Sequence, residues 1–236
     1  MADLLFCFAH PDDETFAVGA TVARYANVGT ALVCATRGEA GRVTAMPGAS
    51  RDEVGRVREA ELHAAAAVLG LGDVELLGHP DGALAQVDTD RLVGQLVLSI
   101  RRHRPRVVVT FGPEGAATGH RDHRAISRAA TAAWFLAGLG TAYPEHGAPH
   151  APSRLCYFSW EPPRPDDELQ LLGVPADVRI PIAPWQDTKW RAFVAHASQR
   201  HHEARFRALL LDRDEFYAVA SGVPVPPGCD DLLAGL

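Results

Sequence analysis

The 236-residue chain reads as a single α/β domain, a Rossmann-like, doubly wound and mostly parallel sheet with helices on both faces. Three observations predict it. Short apolar runs of strand length alternate with longer segments of helical period through the first half, in the order βαβαβαβα. Gly, Pro and capping residues separate the segments. His- and Asp-rich clusters follow the first and fourth apolar runs, where open α/β sheets bind their ligands.

The first strand is expected at Leu4 to Ala9, and a helix from Phe16 to Val28 with Thr15 as N-cap and Gly29 as stop signal. Ala31 to Thr36 is the second strand. Ser50 with Glu53 three residues on forms a capping box for a long helix that runs to Leu69 and ends at Gly70. Val74 to Leu77 is the third strand, Asp88 to His103 an amphipathic helix with Pro105 just past its end, and Arg106 to Phe111 the fourth strand. Helix resumes from His123 to Ala137. In the doubly wound order 3-2-1-4, strands one and four are neighbours, and their carboxyl ends flank the topological switch point.

Residues 1–139 form this Rossmann-like core, and residues 140–236 form a less regular part that completes the domain. Gly140 to Ser153 reads as an exposed loop, Arg154 to Trp160 as a strand, Pro162 to Pro165 as a break and Val178 to Ile182 as a further strand. Trp185 to Leu211 reads as helix, and Val223 to Gly228 as an irregular, proline-rich stretch. The loop and the tail are open to two uses, capping a pocket or forming the contact of a homo-oligomer.

Bulk properties narrow the function. A net charge of −6 argues against nucleic acid or an anionic membrane as the main partner, and a hydrophobic fraction of 47% fits a globular core. The four cysteines form no C-x-x-C pair, and two lie in apolar runs, which favours a reducing cytoplasm over a disulfide framework. No segment has the length and apolarity of a membrane span, and the first run is too short for a signal peptide.

The chemistry concentrates in two clusters, Ala9-His10-Pro11-Asp12-Asp13-Glu14 and His120-Arg121-Asp122-His123. A hydrolytic zinc site takes three protein ligands and keeps a position for water. His10, Asp13 and His123 would supply them. Asp12 and Asp13 are adjacent and cannot easily both face one ion, so Asp12 is left free as a general base. His120 would stabilise a developing oxyanion, or protonate a leaving amine, as an imidazolium. Asp122 would fix the tautomer and orientation of His120. Zinc suits this N/O donor set, and so do Fe(II) and Co(II).

These two motifs resemble the LmbE/PIG-L family of zinc-dependent de-N-acetylases. Thr36-Arg37-Gly38-Glu39, Arg58 to Leu62, Pro80-Asp81-Gly82, Lys189 and His196-Ala197-Ser198-Gln199 match it in the same order. The resemblance implies the same roles for His10, Asp12, Asp13, His120, Asp122 and His123. It also implies that Arg58 and Asp81 contact sugar hydroxyls, roles that residue types alone do not single out. Taken alone, Arg58 is equally a surface residue paired with a nearby Glu, and Asp81 a turn former. Two positions depart from the family pattern. Arg121 stands where Pro is frequent, bringing a charge near the mouth, and Thr118 stands where some sugar deacetylases carry Tyr.

The expected activity is removal of the N-acetyl group from an N-acetylglucosamine-type conjugate, a small-molecule substrate. The alternatives are an amidase cleaving a larger thiol-conjugate amide and a catalytically silent metal-binding module. His146, His150, His201 and His202 lack acids at a strand end and read as exposed residues, and Trp185 and Trp190 as packing.

Overall fold

The computed structural model describes residues 2–41, 43, 46–116, 118–159 and 175–236. Its centre is a seven-stranded sheet in the order β3-β2-β1-β4-β5-β7-β6. The strands are β1 (Leu4–Phe8), β2 (Thr30–Thr36), β3 (Asp73–His79), β4 (Val107–Phe111), β5 (Arg154–Ser159), β6 (Val178–Ile180) and β7 (Glu215–Gly222). The expected 3-2-1-4 half is present. β1 pairs in parallel with both β2 and β4, Leu4 facing Thr30 on one side and Val107 on the other. Every residue of β1, β2 and β4 is buried, which is why these strands are continuous apolar runs.

The helices are α1 (Asp13–Phe16), α2 (Gly19–Arg24), α3 (Arg51–Leu69), α4 (Thr89–His103), α5 (Arg121–Leu136), α6 (Gln186–Ala195) and α7 (Glu203–Phe206). The Ser50–Glu53 capping box forms in both directions, and Gly70 ends α3 at φ 75°.

The single helix expected over Phe16 to Val28 is two short ones. Its N-cap is Asp12, not Thr15, whose hydroxyl is spent on the Glu14 carboxylate. The helix expected over Trp185 to Leu211 is also divided. After α6 the chain turns at His196, forms a tight helical segment over Ala197–His202, then α7, then a π-helical turn at Arg207–Leu211. His196 leaves the helical path because its ring is drawn onto buried Glu14.

Residues after 140 add β5 parallel to β4, and then β7 and β6 antiparallel, so the same sheet continues. Strand β7 escapes the sequence reading, although Glu215-Phe216-Tyr217-Ala218-Val219 has strand-forming residues. The strand expected to Trp160 is described as far as Ser159, and the Pro162 to Pro165 break lies outside the described residues. The strand expected to Ile182 stops at Ile180, because Pro181 cannot donate to a ladder. All four cysteines are buried and unpaired. Among the described residues no helix is long and apolar enough to cross a membrane.

Candidate active site

The residues singled out in the two motifs meet at the carboxyl edge of the sheet. His10 follows β1, Asp81 follows β3, and His120 caps α5 after β4. The β1–β4 pairing places the two clusters side by side, and His10 Nδ1 lies 3.3 Å from His123 Nε2.

That contact defines the centre. His123 Nε2 is 3.3 Å from Asp13 Oδ1, and His10 Nδ1 is 3.6 Å from Asp13 Oδ2. A tetrahedral ion about 2.0–2.1 Å from its N and O ligands holds those atoms roughly 3.3 Å apart. The far side of each ligand is tied down. His123 Nδ1 faces the Gly115 carbonyl at 3.2 Å. His10 Nε2 meets Asp81 Oδ1 at 3.1 Å and Asp122 Oδ2 at 3.3 Å. Asp13 Oδ2 accepts the amides of Ala9 and His10 at 3.1 and 2.9 Å. With the outer ring nitrogens protonated, two imidazole lone pairs and the Asp13 carboxylate face one another. Such a set repels itself unless a cation stands there, so the donors fit a divalent ion of zinc type.

The surrounding carboxylates act in the same sense. Burial alone lowers the pKa of His10, but Asp122, Asp13 and Asp81 outweigh it and hold the ring well above its ordinary value. The Asp13 carboxyl, despite burial, is held far below the usual range by His123 and His10. Three carboxylates gathered around two imidazoles suit a bound cation.

Asp12 stands apart from the converging donors. Its backbone is left-handed, φ 110°, a conformation that costs a non-glycine residue about 1–3 kcal/mol. The amide of Asp12 donates to Glu14 Oε2 at 2.9 Å. Glu14 is fully buried, and its other oxygen receives His196 Nε2 at 2.7 Å. The Asp12 carboxylate receives Arg58 Nη2 at 2.8 Å. Burial and the Asp13 charge push Asp12 up to about 6, against the lowering effect of Arg58. A largely buried carboxylate with that affinity for protons, beside a metal site, suits general base catalysis near neutral pH.

His120 caps the N-terminus of α5, and its Nδ1 accepts the amide of Asp122 at 3.2 Å. That leaves the proton of the neutral ring on Nε2. Burial and the neighbouring His10 and His123 lower its pKa, and the helix N-terminus also disfavours a cation. These effects favour the neutral ring, which keeps Nε2–H as its donor. Rings of His10 and His120 meet edge to face with centroids 4.8 Å apart.

The remaining residues take the following places. The Asp122 carboxylate does not orient the His120 ring. It is fully buried, accepts the amides of Gly82 and Leu84 at 2.7 and 3.0 Å, and serves His10. Arg58 and Asp81 line the cavity, and each also has partners within the protein. Arg58 is 4% exposed and donates to the carbonyls of Gly38 and Pro11 as well as to Asp12. Asp81 gives one oxygen to His10 and the other to the Ala40 amide at 2.8 Å. Arg121 is exposed and is not among the cavity-lining residues, whereas Thr118 is among them.

The cavity above these groups has a volume of about 620 Å³. His10, Asp12, Asp13, His120 and His123 line it, as do Gln199, His201, His202 and Arg205 from the segment after α6. The sequence reading missed the place of His201 and His202, because no acid pattern accompanies them. It also did not single out His196 as the partner of Glu14.

The model of the PIG-L family, described as GlcNAc-PI de-N-acetylase, matches residues 5–134. The chain belongs to this family. It is 39% identical to a 1D-myo-inositol 2-acetamido-2-deoxy-alpha-D-glucopyranoside deacetylase of Streptomyces avermitilis, over 99% of this chain and 97% of the relative. A deacetylase of the same description from Rhodococcus erythropolis is 32% identical, with the same coverage. Among solved structures, the conserved protein TT1542 from Thermus thermophilus superposes with a TM-score of 0.74 at 31% identity, covering 96% of this chain and 98% of that one. The family match ends at Trp134, so β1 to β4 and most of α5, with both motifs, lie inside it.

Proposed function

We propose that this chain is a metal-dependent hydrolase that removes the acetyl group from an N-acetylglucosamine conjugate. The observation that carries the reading is the convergence of His10 Nδ1, His123 Nε2 and the Asp13 carboxylate beside a largely buried Asp12 that stands outside the donor set. The curated relatives named above are deacetylases of an N-acetylglucosamine–inositol conjugate, which supports the same reaction class here.

His10, Asp13 and His123 would hold the ion, with zinc fitting the donor set and Fe(II) or Co(II) fitting it as well. When bound, such an ion polarises an amide carbonyl and lowers the pKa of a water toward neutrality. Asp12 takes the proton of the attacking water. His120, neutral and donating through Nε2–H, stabilises the oxyanion that develops on the former carbonyl oxygen. Asp12 then returns its proton to the departing nitrogen, so a single carboxyl serves as base and acid in turn. Asp81 and Asp122 orient His10, and Arg58 orients Asp12.

The test is a panel of N-acetylglucosamine conjugates incubated with zinc-loaded protein, scored for released acetate and free amine. Both products in equal amounts are expected. A protein that binds the ion stoichiometrically yet frees no acetate from any member overturns the reading. Release of a larger acid from thiol-conjugate amides alone replaces it with the amidase.

A further inference from the structure

The segment after α6 reaches the cavity through Gln199, a residue 4% exposed that lines it. Its place is fixed from two sides. Its backbone amide donates to the His196 carbonyl at 2.9 Å. His196 is itself held on Glu14, whose other oxygen takes the Asp12 amide. The residue before it, Ser198, is fastened to Glu61 on α3. The Glu61 carboxylate accepts the Ser198 amide at 2.8 Å and the Ser198 hydroxyl at 2.6 Å. Glu61 follows Arg58 by three positions, so the two are neighbours on one face of α3. That face secures the proposed base through Arg58 and the Gln199 segment through Glu61.

These bonds also decide which way the Gln199 side-chain amide points. A serine hydroxyl has one proton, and here Glu61 takes it. Ser198 Oγ is then an acceptor toward its other neighbour, so the group 3.0 Å away is the donor, Gln199 Nε2. An amide turned the other way would set two acceptors against each other. Gln199 Oε1 is thereby aimed by the protein. Among the described residues nothing donates to it, and it is not closed off as a wholly buried atom. With so little of the residue exposed, the opening is to the cavity that it lines.

A carbonyl oxygen held in a fixed direction, nearly buried and without a donor, is costly unless a ligand supplies one. The reacting acetamido group is engaged by the metal donors and His120. The rest of an N-acetylglucosamine offers hydroxyls, each of them a donor. Sites that hold a substrate hydroxyl in this way reject the analogue lacking it, because their own buried group is then left unpaired.

We infer that Gln199 is a sugar-recognition residue whose Oε1 accepts one hydroxyl of the N-acetylglucosamine, with Ser198 and Glu61 as the positioning residues that orient it. The inference rests on the deacetylase reading above and names the residue by which that site selects its sugar.

The experiment compares kcat/KM of the zinc-loaded protein for the inositol glycoside of N-acetylglucosamine and for its analogues deoxygenated at C3, C4 or C6 of the sugar. The parent protein is expected to lose at least about fivefold on one of the three, the lower end of the cost of leaving a buried acceptor unpaired. Gln199→Met keeps the length of the side chain and removes the acceptor. It is expected to slow the intact glycoside by a similar factor, chiefly through KM, and to turn over that one analogue as the parent does. Ser198→Ala frees the amide to turn and is expected to fall between the two. Gln199→Met slowing all four substrates equally overturns the inference and leaves the deacetylase standing. So does a parent protein that treats all four alike. If Gln199→Met does not fold, Ser198→Ala decides, and discrimination undiminished in that variant overturns the inference. No acetate from any of the four overturns the deacetylase reading and the inference together.

Discussion

Arg58, in the middle of α3, donates to Asp12 across 46 residues of sequence, Nη2 to Oδ2 at 2.8 Å. The same guanidinium caps the carbonyls of Pro11 and Gly38. It therefore holds the β1 turn, the β2 turn and the proposed base in one arrangement, and it opposes the effects of burial and Asp13 on the Asp12 carboxyl.

The sign of its effect is testable. Arg58 lowers the Asp12 pKa, so removing its charge raises it. The base is active when deprotonated, so activity falls as pH drops through that pKa. In Arg58→Met the acidic limb of the kcat–pH profile is expected to move to higher pH, with Arg58→Lys between the variant and the parent. A limb that does not move in Arg58→Met separates Arg58 from the base.

Asp12→Asn keeps size and shape but cannot accept the proton. It is expected to bind zinc stoichiometrically while kcat falls by about 10²–10⁴-fold, the usual range for loss of a general base. Metal content by mass spectrometry and acetate release on the same sample make the check. Near-parental turnover would remove Asp12 from the chemistry.

Asp122 and Asp81 act on His10 from the side away from the converging donors. Losing such a partner typically weakens metal affinity about 10–100-fold. Asp122→Asn is expected to show that loss in competition with a chelator, with the His10 ligand still in place. If zinc affinity is unchanged and only the kcat falls, Asp122 serves the substrate and not the ring.

The buried pair Glu14–His196 underlies the strained turn at Asp12. Removing one member of such a pair costs about 3–5 kcal/mol, so His196→Asn should unfold at markedly lower denaturant concentration. Burial lowers the pKa of His196, but Glu14 outweighs it and the net shift is upward. A raised folded-state pKa contributes stability that is complete below the unfolded value of 6.5 and lost as pH rises through the folded value. The stability gap between parent and His196→Asn is therefore expected to shrink from pH 6 toward alkaline pH. A gap that widens over that range refutes the charge pairing.

Much of this was legible in the order of residues. The runs at Leu4, Ala31 and Val107 are apolar throughout because those strands are covered on both faces. The capping box at Ser50 and the stop at Gly70 are complete within a few residues. His10, Asp13 and His123 could be grouped because strand ends in a parallel sheet share one edge, and the pairing of β1 with β4 brings them together. The division of the Trp185 to Leu211 segment was not legible, since its cause, Glu14, is 182 residues from His196.

The sequence by itself determined which segments are core and which polar residues stand at strand ends, because burial and helical or strand period are written position by position. The tertiary structure alone decided who partners whom. Asp122 sits two residues from His120 yet serves His10, and Arg58 leaves a helix surface to become a buried clamp on Asp12. Those choices depend on strand register and helix placement, which set distances between residues far apart in the chain and which no local pattern records.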